Sequence, residues 1–442
     1  MVDFGNLDID LVPRSLALLL GLYLFIVTLI SLLRTVVMPR NLESTVSDLI
    51  RVLVVYPVRT IAQMRGSYLG RDSVLAWTGP LLIVIQLITW LLLFFLAYGL
   101  WIYGIGGGDN LGAALRQSGS SLFTLGFAQS PGAEITVIDF MAAATGPIVI
   151  ALLIGFLPTI YSSYLDREEG VAMLGVAAGD PAWGPELISR IYLSKQPETI
   201  ENLFHDWRVW ATDTRLTHAT YPVLTRMRSA SAYRSWVVSL LAVLDAASLH
   251  LALTKTLPRH NAVAVLLHGA EAFEVIYVLT TTRSSLRNRI PFVGMLAKHS
   301  NAETQKVNQE PGFSSGEIAV EIAATADSLT GLPTQSVDKM LAGEAQPITL
   351  TRAEFEQGVE VLRKSGYPIE NDMDTAWQQF ALARARYEFT AYQLASRLDV
   401  VPGPWSGPRP HSFPTIWPTL ATSFLKDNDT SMNDEPSKND DE

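Results

Sequence analysis

Three long apolar runs in the first third of the chain restrict its fold more than any other feature. They extend over residues 15–37, 77–103 and 138–164. A helix needs roughly 20 apolar residues to cross the hydrocarbon core of a bilayer, and each run reaches that length. The first run follows three aspartates instead of the positive charge of a signal peptide, so we expect it to be a span as well. The sequence therefore predicts an integral membrane protein.

The distribution of arginine predicts the orientation of the spans. Lysine and arginine accumulate in cytoplasmic loops. The N-terminal segment contains Arg14 and the loop between the second and third runs contains Arg116, whereas the stretch between the first two runs is much richer in arginine: Arg34, Arg40, Arg51, Arg59, Arg65 and Arg71. We therefore expect a multi-pass protein of the inner (plasma) membrane, with the N-terminus outside and everything after residue 165 in the cytoplasm.

Residues 41–68, on the predicted cytoplasmic side, alternate apolar and polar residues with the period of an amphipathic helix. Leu42, Val46, Ile50 and Val54 recur at helical spacing, and Pro57 is expected to break or kink the helix. Two placements fit this pattern. The helix lies at the membrane surface, or it packs against the cytoplasmic domain.

The rest of the chain predicts an all-α fold, in which a membrane domain (residues 1–165) is followed by a cytoplasmic helical domain (166–283). A polar linker (284–316), C-terminal helices (317–400) and a disordered acidic tail (401–442) come next. The net charge of −10 argues against a nucleic-acid partner, and the absence of cysteine excludes disulfides. Helices are expected at about 183–195, 197–217, 220–229, 233–256, 260–281, 317–330, 351–365 and 371–398.

Two of these helices are apolar enough to resemble further spans. Residues 235–254 contain Asp245 and His250, and residues 261–281 contain His268, Glu271 and Glu274. Charges in the middle of a span are costly, so we expect both helices to be buried in a soluble bundle. For the same polar groups we expect hydrogen bonds within the core, since the paired Glu-x-x-His pattern of a bundle metal site is absent.

The loop between the second and third runs carries the functional prediction. Asp109 or Asn110 is a suitable N-cap for a helix of about a dozen residues, which is too short and too polar to cross a bilayer. An irregular segment, 124–128, follows it. A short helix and an irregular segment between two spans indicate a re-entrant loop, because irregular backbone at membrane depth must line a water-filled path or be buried in protein. The alternative is an ordinary outer loop with a surface helix.

The irregular segment resembles the selectivity filter of potassium channels, Thr-Val-Gly-Tyr-Gly. Thr124 and Gly126 match, Leu125 and Phe127 replace valine and tyrosine, and Ala128 replaces the last glycine. The stretches 120–127 and 152–158, with Tyr161, are similar to those of bacterial pore-loop proteins of the potassium channel family, over about residues 77–180 and more loosely to 250. The resemblance implies a pore helix and filter at 110–128, in which the carbonyls of Thr124, Leu125, Gly126 and Phe127 coordinate K⁺, with Ala128 as a doubtful fifth position.

Further expectations depend on that resemblance. One pore loop per chain implies a homotetramer in contact with membrane lipid, with K⁺ as the permeating ion and no cofactor. Gly146, Pro147 and Gly155 are candidates for a gating hinge, although small residues also serve close helix packing in membranes. An unknown cytoplasmic regulator would act on the helical domain. The competing hypotheses are a non-conducting sensor or scaffold, which Ala128 favours, and a membrane-anchored enzyme, for which no catalytic constellation is present.

Overall fold

The computed structural model describes residues 14–38, 44–128, 131–194, 198–281 and 348–408, and all regular elements within these ranges are helices. The N-terminal part contains α1 (Arg14–Leu32, extended by a π turn at Leu33–Val37), α2 (Thr45–Gln63), α3 (Tyr68–Leu75), α4 (Thr78–Gly104), α5 (Leu111–Leu122) and α6 (Ala133–Ala178). The C-terminal part contains α7 (Gly184–Leu193), α8 (Glu198–Thr220), a 3₁₀ turn (Pro222–Arg226), α9 (Trp236–Leu253), α10 (His260–Thr281), α11 (Arg352–Lys364), α12 (Met373–Arg384) and α13 (Glu388–Arg397). The all-α prediction is confirmed for the described residues.

Within the described residues, five helices are long and apolar enough to cross a membrane, and they differ in how much protein covers them. Only 28%, 28% and 17% of the most apolar windows around α1, α4 and α6 are buried, against 94% for α9 and 39% for α10. Uncovered apolar surface on this scale needs lipid or another protein around it, whereas a covered helix does not. These apolar helices fit a multi-pass membrane protein, and α9 is the core helix of the C-terminal part.

Helix α2 packs along one face against α3 and α4. Ile50, Val54 and Val58 are buried and meet Leu81 and Ile85, among other residues of α3 and α4. The helix continues through Pro57, so the predicted break is absent. On the opposite face Leu49, Leu53 and Ile61 stay exposed. The buried face fits a helix packed against protein, and the exposed apolar face fits a helix at the membrane surface. Both placements are therefore compatible with the structure.

Helix α6 runs for 46 residues and passes without interruption through residue 165, where the membrane domain was expected to end. At 1.5 Å per residue it is about 69 Å long, roughly twice the thickness of the hydrocarbon core. Its C-terminal third joins the helical domain, where Val171 and Leu174 are buried in the main core. One continuous helix therefore belongs to both parts of the molecule.

The C-terminal part is organised around α9, which is buried on every side. Asp245 of α9 pairs with the fully buried Arg384, whose Nε also donates to Glu388 Oε2 at 2.6 Å. Tyr387 donates its hydroxyl to Asp245 Oδ1 at 2.8 Å. Buried charges are tolerated only when they are paired and hydrogen-bonded, and this network meets that condition. It attaches α12 and α13 to α9.

Three predictions about the C-terminal part are wrong in detail. The helix expected at 220–229 is a 3₁₀ turn, because Pro222 has no N–H to continue the ladder of α8. The single helix expected at 371–398 is interrupted at 385–387, where Arg386 and Tyr387 make tighter i to i−3 backbone bonds. Disorder was expected from Val401, but residues 401–408 are packed, with Val401 and Trp405 buried in the core. The predicted linker 284–316, the helix 317–330 and the tail beyond 408 lie outside the described residues.

Candidate functional site

Helix α5 lies between α4 and α6, and its buried polar residues, Gln117, Ser118 and Ser120, face protein. It begins at the expected N-cap, where the Ala113 N–H donates to Asn110 Oδ1 at 2.8 Å. Ser118 donates to the Phe95 carbonyl of α4 at 2.7 Å, and Gln117 and Ser121 donate to the two carboxylate oxygens of Asp139 in α6, at 2.8 and 2.6 Å. Since both neighbours are apolar helices, these bonds determine which face of α5 is turned towards each of them.

Gly146 marks the closest approach between α5 and α6. A Cβ at this position would lie 2.0 Å from the carbonyl oxygen of Leu122, the last residue of α5. Close packing therefore explains this glycine without a hinge. A Cβ at Gly155, by contrast, would meet no atom within 4 Å, and Pro147 is exposed inside α6. The hinge at these positions stays a prediction.

Ser120 holds the irregular segment that follows α5. Its carbonyl accepts the N–H groups of Leu125 at 2.7 Å and Gly126 at 3.3 Å. Its hydroxyl oxygen accepts the N–H groups of Phe127 at 2.9 Å and Ala128 at 3.0 Å. Four consecutive amides thus point towards one buried residue, which is 1% exposed.

This arrangement determines where the carbonyl groups of the segment point. In a trans peptide unit the N–H and the carbonyl of the preceding residue point in opposite directions. Because the amides of 125–128 point towards Ser120, the carbonyls of Thr124, Leu125, Gly126 and Phe127 point away from it. The structure therefore turns a row of four successive carbonyl oxygens to the same side of the segment.

The backbone angles show how the chain achieves this row. φ is +55° at Thr124 and +69° at Gly126, so alternate residues are left-handed. Glycine adopts this region at no cost, whereas threonine loses on the order of 1–2 kcal/mol. Ala128 does not have a positive φ within the described chain, so it does not incur the penalty that its Cβ would otherwise bring.

The side chains of the segment are mostly uncovered. Phe123, Leu125 and Phe127 are 47%, 61% and 56% exposed. The Arg116 guanidinium lies over the Phe127 ring, 5.4 Å from its centre, in a cation–π contact. This contact restrains a ring that lacks the hydroxyl of the tyrosine found in the filter pattern.

The sequence did not single out Ser120 or Asp139. Helix α5 contains several polar residues of similar type, and only the register of the helix decides which of them reaches the segment and which reaches α6. Among the described residues, no group of acidic or histidine side chains is arranged to hold a metal ion. His218, Asp245, His250 and Glu271 instead have hydrogen-bond or ion-pair partners in the protein.

No family model, curated protein or solved structure matches the chain. The function is therefore inferred from the geometry of the site.

Proposed function

We propose that the chain is one subunit of a pore-loop cation channel of the inner membrane, selective for potassium or a related monovalent cation. The observation that supports this proposal is the row of carbonyls from Thr124 to Phe127, which results from four amide hydrogen bonds to Ser120. A cation that leaves water needs oxygen ligands to replace its hydration shell, and rings of backbone carbonyls provide them in potassium channels.

The helix before the carbonyl row favours a cation at the same place. The C-terminal end of a helix carries a partial negative charge from its free carbonyls. Helix α5 ends at Leu122, directly before the segment, and Gly146 of α6 allows that end to approach closely. The end of α5 would therefore direct its dipole towards the ion that the carbonyls coordinate.

A channel would require other copies of the chain around the row. A ring of carbonyls around one ion takes four loops, and each chain has one such segment. The exposed apolar side chains of Phe123, Leu125 and Phe127 would be covered at the contacts between subunits. Light scattering of the detergent-solubilised protein should give the mass of a tetramer, and a monomer would contradict the proposal.

The decisive experiment is ion flux in liposomes that contain the purified full-length protein. We expect K⁺ flux that exceeds Na⁺ flux for the unmodified chain, and retained flux for Ala128→Gly. Gly126→Asp should abolish flux, because it places a Cβ and a charge at a left-handed position of the row. Gly66→Asp is the matched control: a Cβ there would meet no atom within 4 Å, and flux should be unchanged.

Two outcomes would count against the proposal in different ways. If neither the unmodified chain nor Ala128→Gly passes any ion, the channel function is wrong. If both ions pass equally, the pore stands and potassium selectivity is wrong.

A non-conducting membrane sensor or scaffold is the second candidate. Arg116 favours it, because its guanidinium lies against Phe127 at the outer end of the row and places a positive charge beside the path of a cation. Under this alternative, Arg116→Gln would not restore flux to a silent protein, whereas in a weakly conducting channel it should raise K⁺ flux.

A further inference from the structure

A cavity of about 150 Å³ lies where the C-terminal end of α1, the start of α2, α4, α6 and the 3₁₀ turn meet. On α6 it is lined by Leu153, Phe156 and Ile160, whereas α5 contacts α6 at Asp139 and Gly146. Ten residues of helix separate Gly146 from Phe156, about 15 Å. The cavity is therefore near the end of the spans opposite to the carbonyl row, which is the side that the arginine distribution places in the cytoplasm.

The polar wall of the cavity is positively charged. Arg34, Arg51 and Arg226 line it together with one acid, Asp48, which pairs with Arg51 at 2.9 Å. The Arg226 guanidinium forms no ion pair within the described part of the chain. Burial first, and then the positive charges of Arg51, Arg59, Arg397 and Arg228, lower the pKa of Arg226 to about 10. An arginine in such surroundings is destabilised until an anion compensates it.

A second polar group also lacks a partner at the same place. Gln86 of α4 lines the cavity, and its Nε2 is buried without a hydrogen-bond partner in the protein. Leaving a buried donor unpaired is costly, so such a group commonly marks a site for a ligand or a bound water. An oxygen-rich anion would satisfy both Gln86 and Arg226.

The remaining lining consists of hydroxyl side chains, among them Ser47 and Thr225, and of an apolar wall on the long apolar helices. Leu82 and Ile83 of α4, with Leu153 and Phe156 of α6, belong to this apolar wall. A free inorganic anion gains nothing from contact with apolar side chains. An amphiphile, by contrast, can place its headgroup on the arginines and its acyl chain along the long apolar helices. Basic pockets between spans on the cytoplasmic side have the chemistry for acidic lipid headgroups.

We propose that this cavity binds the phosphate-bearing headgroup of an anionic phospholipid from the cytoplasmic leaflet, with Arg226, Arg34 and Gln86 as its hydrogen-bond donors. The acyl chain lies against the apolar residues of α4 and α6. The site connects the first, second and third long helices to the turn before α9. It requires the membrane orientation given above but no ion conduction, so a silent pore would leave this inference standing.

The test is lipid binding by the purified, delipidated full-length protein in neutral detergent, measured by native mass spectrometry and by thermal stabilisation. The probes are phosphatidylglycerol, phosphatidylcholine and inorganic phosphate. We expect phosphatidylglycerol alone to bind and to raise the unfolding midpoint. Its affinity should fall about five- to tenfold in Arg226→Gln, the loss expected for one basic residue at an anionic lipid. Arg34→Gln, at a second arginine that lines the cavity, should weaken binding in the same direction.

Arg65→Gln is the matched control, since Arg65 is exposed just beyond α2 and does not line the cavity. It should bind phosphatidylglycerol like the unmodified protein. Without lipid, Arg226→Gln should unfold at the same or a higher temperature, because the substitution removes a half-buried charge that has no ion-pair partner in the described part of the chain, and this shows that the variant folds. Undiminished phosphatidylglycerol binding by both cavity variants would overturn the proposal. If phosphatidylcholine bound as tightly as phosphatidylglycerol, the cavity would not recognise the negative charge of the headgroup. If inorganic phosphate stabilised the protein as much as phosphatidylglycerol, the ligand would be a free anion and not a lipid.

Discussion

Ser120 has a role that depends on both of its oxygens. A serine in the last turn of a helix ordinarily bonds to water or to its own backbone. In α5 it is buried, and its carbonyl and hydroxyl together accept four amides from residues 125–128. The two bonds to the carbonyl are insensitive to the side chain, whereas the two bonds to the hydroxyl depend on it. Substitution of Ser120 therefore distinguishes the first two carbonyls of the row, those of Thr124 and Leu125, from the last two, those of Gly126 and Phe127.

Ser120→Ala should loosen the last two carbonyls of the row, those of Gly126 and Phe127, and leave the first two in place. The amides of Phe127 and Ala128 lose their acceptor, at about 1 kcal/mol per hydrogen bond, so the carbonyls of Gly126 and Phe127 are no longer held in direction. If the chain conducts, we expect the ratio of K⁺ to Na⁺ flux in liposomes to fall about fivefold or more while flux persists.

Ser118→Ala is the control on the same helix. Ser118 is buried and donates to the Phe95 carbonyl of α4, whereas the amides of residues 125–128 donate to Ser120. The selectivity ratio of this variant should stay close to that of the unmodified protein. An unchanged ratio in Ser120→Ala would show that the hydroxyl does not hold the row.

At the scale of elements, a buried polar network joins the C-terminal third of α6 to α8. Arg167 of α6 is 2% exposed and donates to the carbonyls of Leu224 and Met227, both at 2.8 Å. Its Nη1 also lies 3.2 Å from His218 Nε2, while His218 Nδ1 lies 2.8 Å from the Thr214 carbonyl. A neutral imidazole meets both contacts, with Nδ1 as donor and Nε2 as acceptor.

This network predicts that the protein loses stability in mild acid. Burial, and then the positive charge of Arg167, hold the pKa of His218 well below its usual 6.5. As the pH falls below 6.5 the unfolded state binds a proton that the folded state does not. The contribution is therefore complete above pH 6.5 and is lost progressively as the pH falls below it. The midpoint of thermal unfolding in detergent should fall between pH 7 and pH 5, and it should fall less in His218→Gln.

The exposed histidine of the same helix provides the comparison. His205→Gln should retain the pH dependence of the unmodified protein, since this side chain is in solvent. If the unmodified protein, His218→Gln and His205→Gln all lost the same stability in acid, groups other than His218 would be responsible for the acid sensitivity.

At the scale of the whole molecule, Arg228 connects three parts of the chain. Its guanidinium pairs with Asp72 of α3 and donates to the carbonyls of Leu398 at 2.7 Å and Asp399 at 2.9 Å. Its own carbonyl accepts from Tyr164 of α6 at 3.1 Å. Helix α3 leads directly into α4, so this residue ties the C-terminal segment to two of the long apolar helices. If the helical domain controls a pore, this contact is one route for that control.

Arg228→Met should release the C-terminal segment from α3. The substitution leaves the carboxylate of Asp72 largely buried without its partner and frees two carbonyls, at a cost of about 2–3 kcal/mol. We expect faster hydrogen exchange in residues 68–75 and 388–408 and unchanged exchange in α1. Arg363→Met should have no such effect, because the Arg363–Glu360 pair is about half exposed on both sides and surface pairs contribute little. Unchanged exchange in Arg228→Met would contradict the connecting role.

Local sequence was enough to predict the helical class, the positions of the long apolar helices and the place of the short helix and irregular segment between two of them. These features depend on local composition: long apolar runs need lipid or a core, and Asn110 followed by a dozen helix-forming residues starts a helix wherever it is placed. The same local rules were wrong at 401–408, where a proline-rich stretch is held by the burial of Val401 and Trp405. Composition indicates how polar a segment is, but not whether another part of the chain will cover it.

The packing of the helices, by contrast, determines which apolar helices stay uncovered and which residue orients the carbonyl row. Helices α4 and α9 are both apolar, and the difference is that α7, α10 and α12 cover α9. Ser120 and Ser118 are the same residue type two positions apart, and the rotation of α5 against α4 and α6 turns one towards residues 125–128 and the other towards Phe95. The reason is geometric. Hydrogen bonds are short and directional, so their partners depend on the mutual placement of whole elements, which no local pattern in the chain specifies.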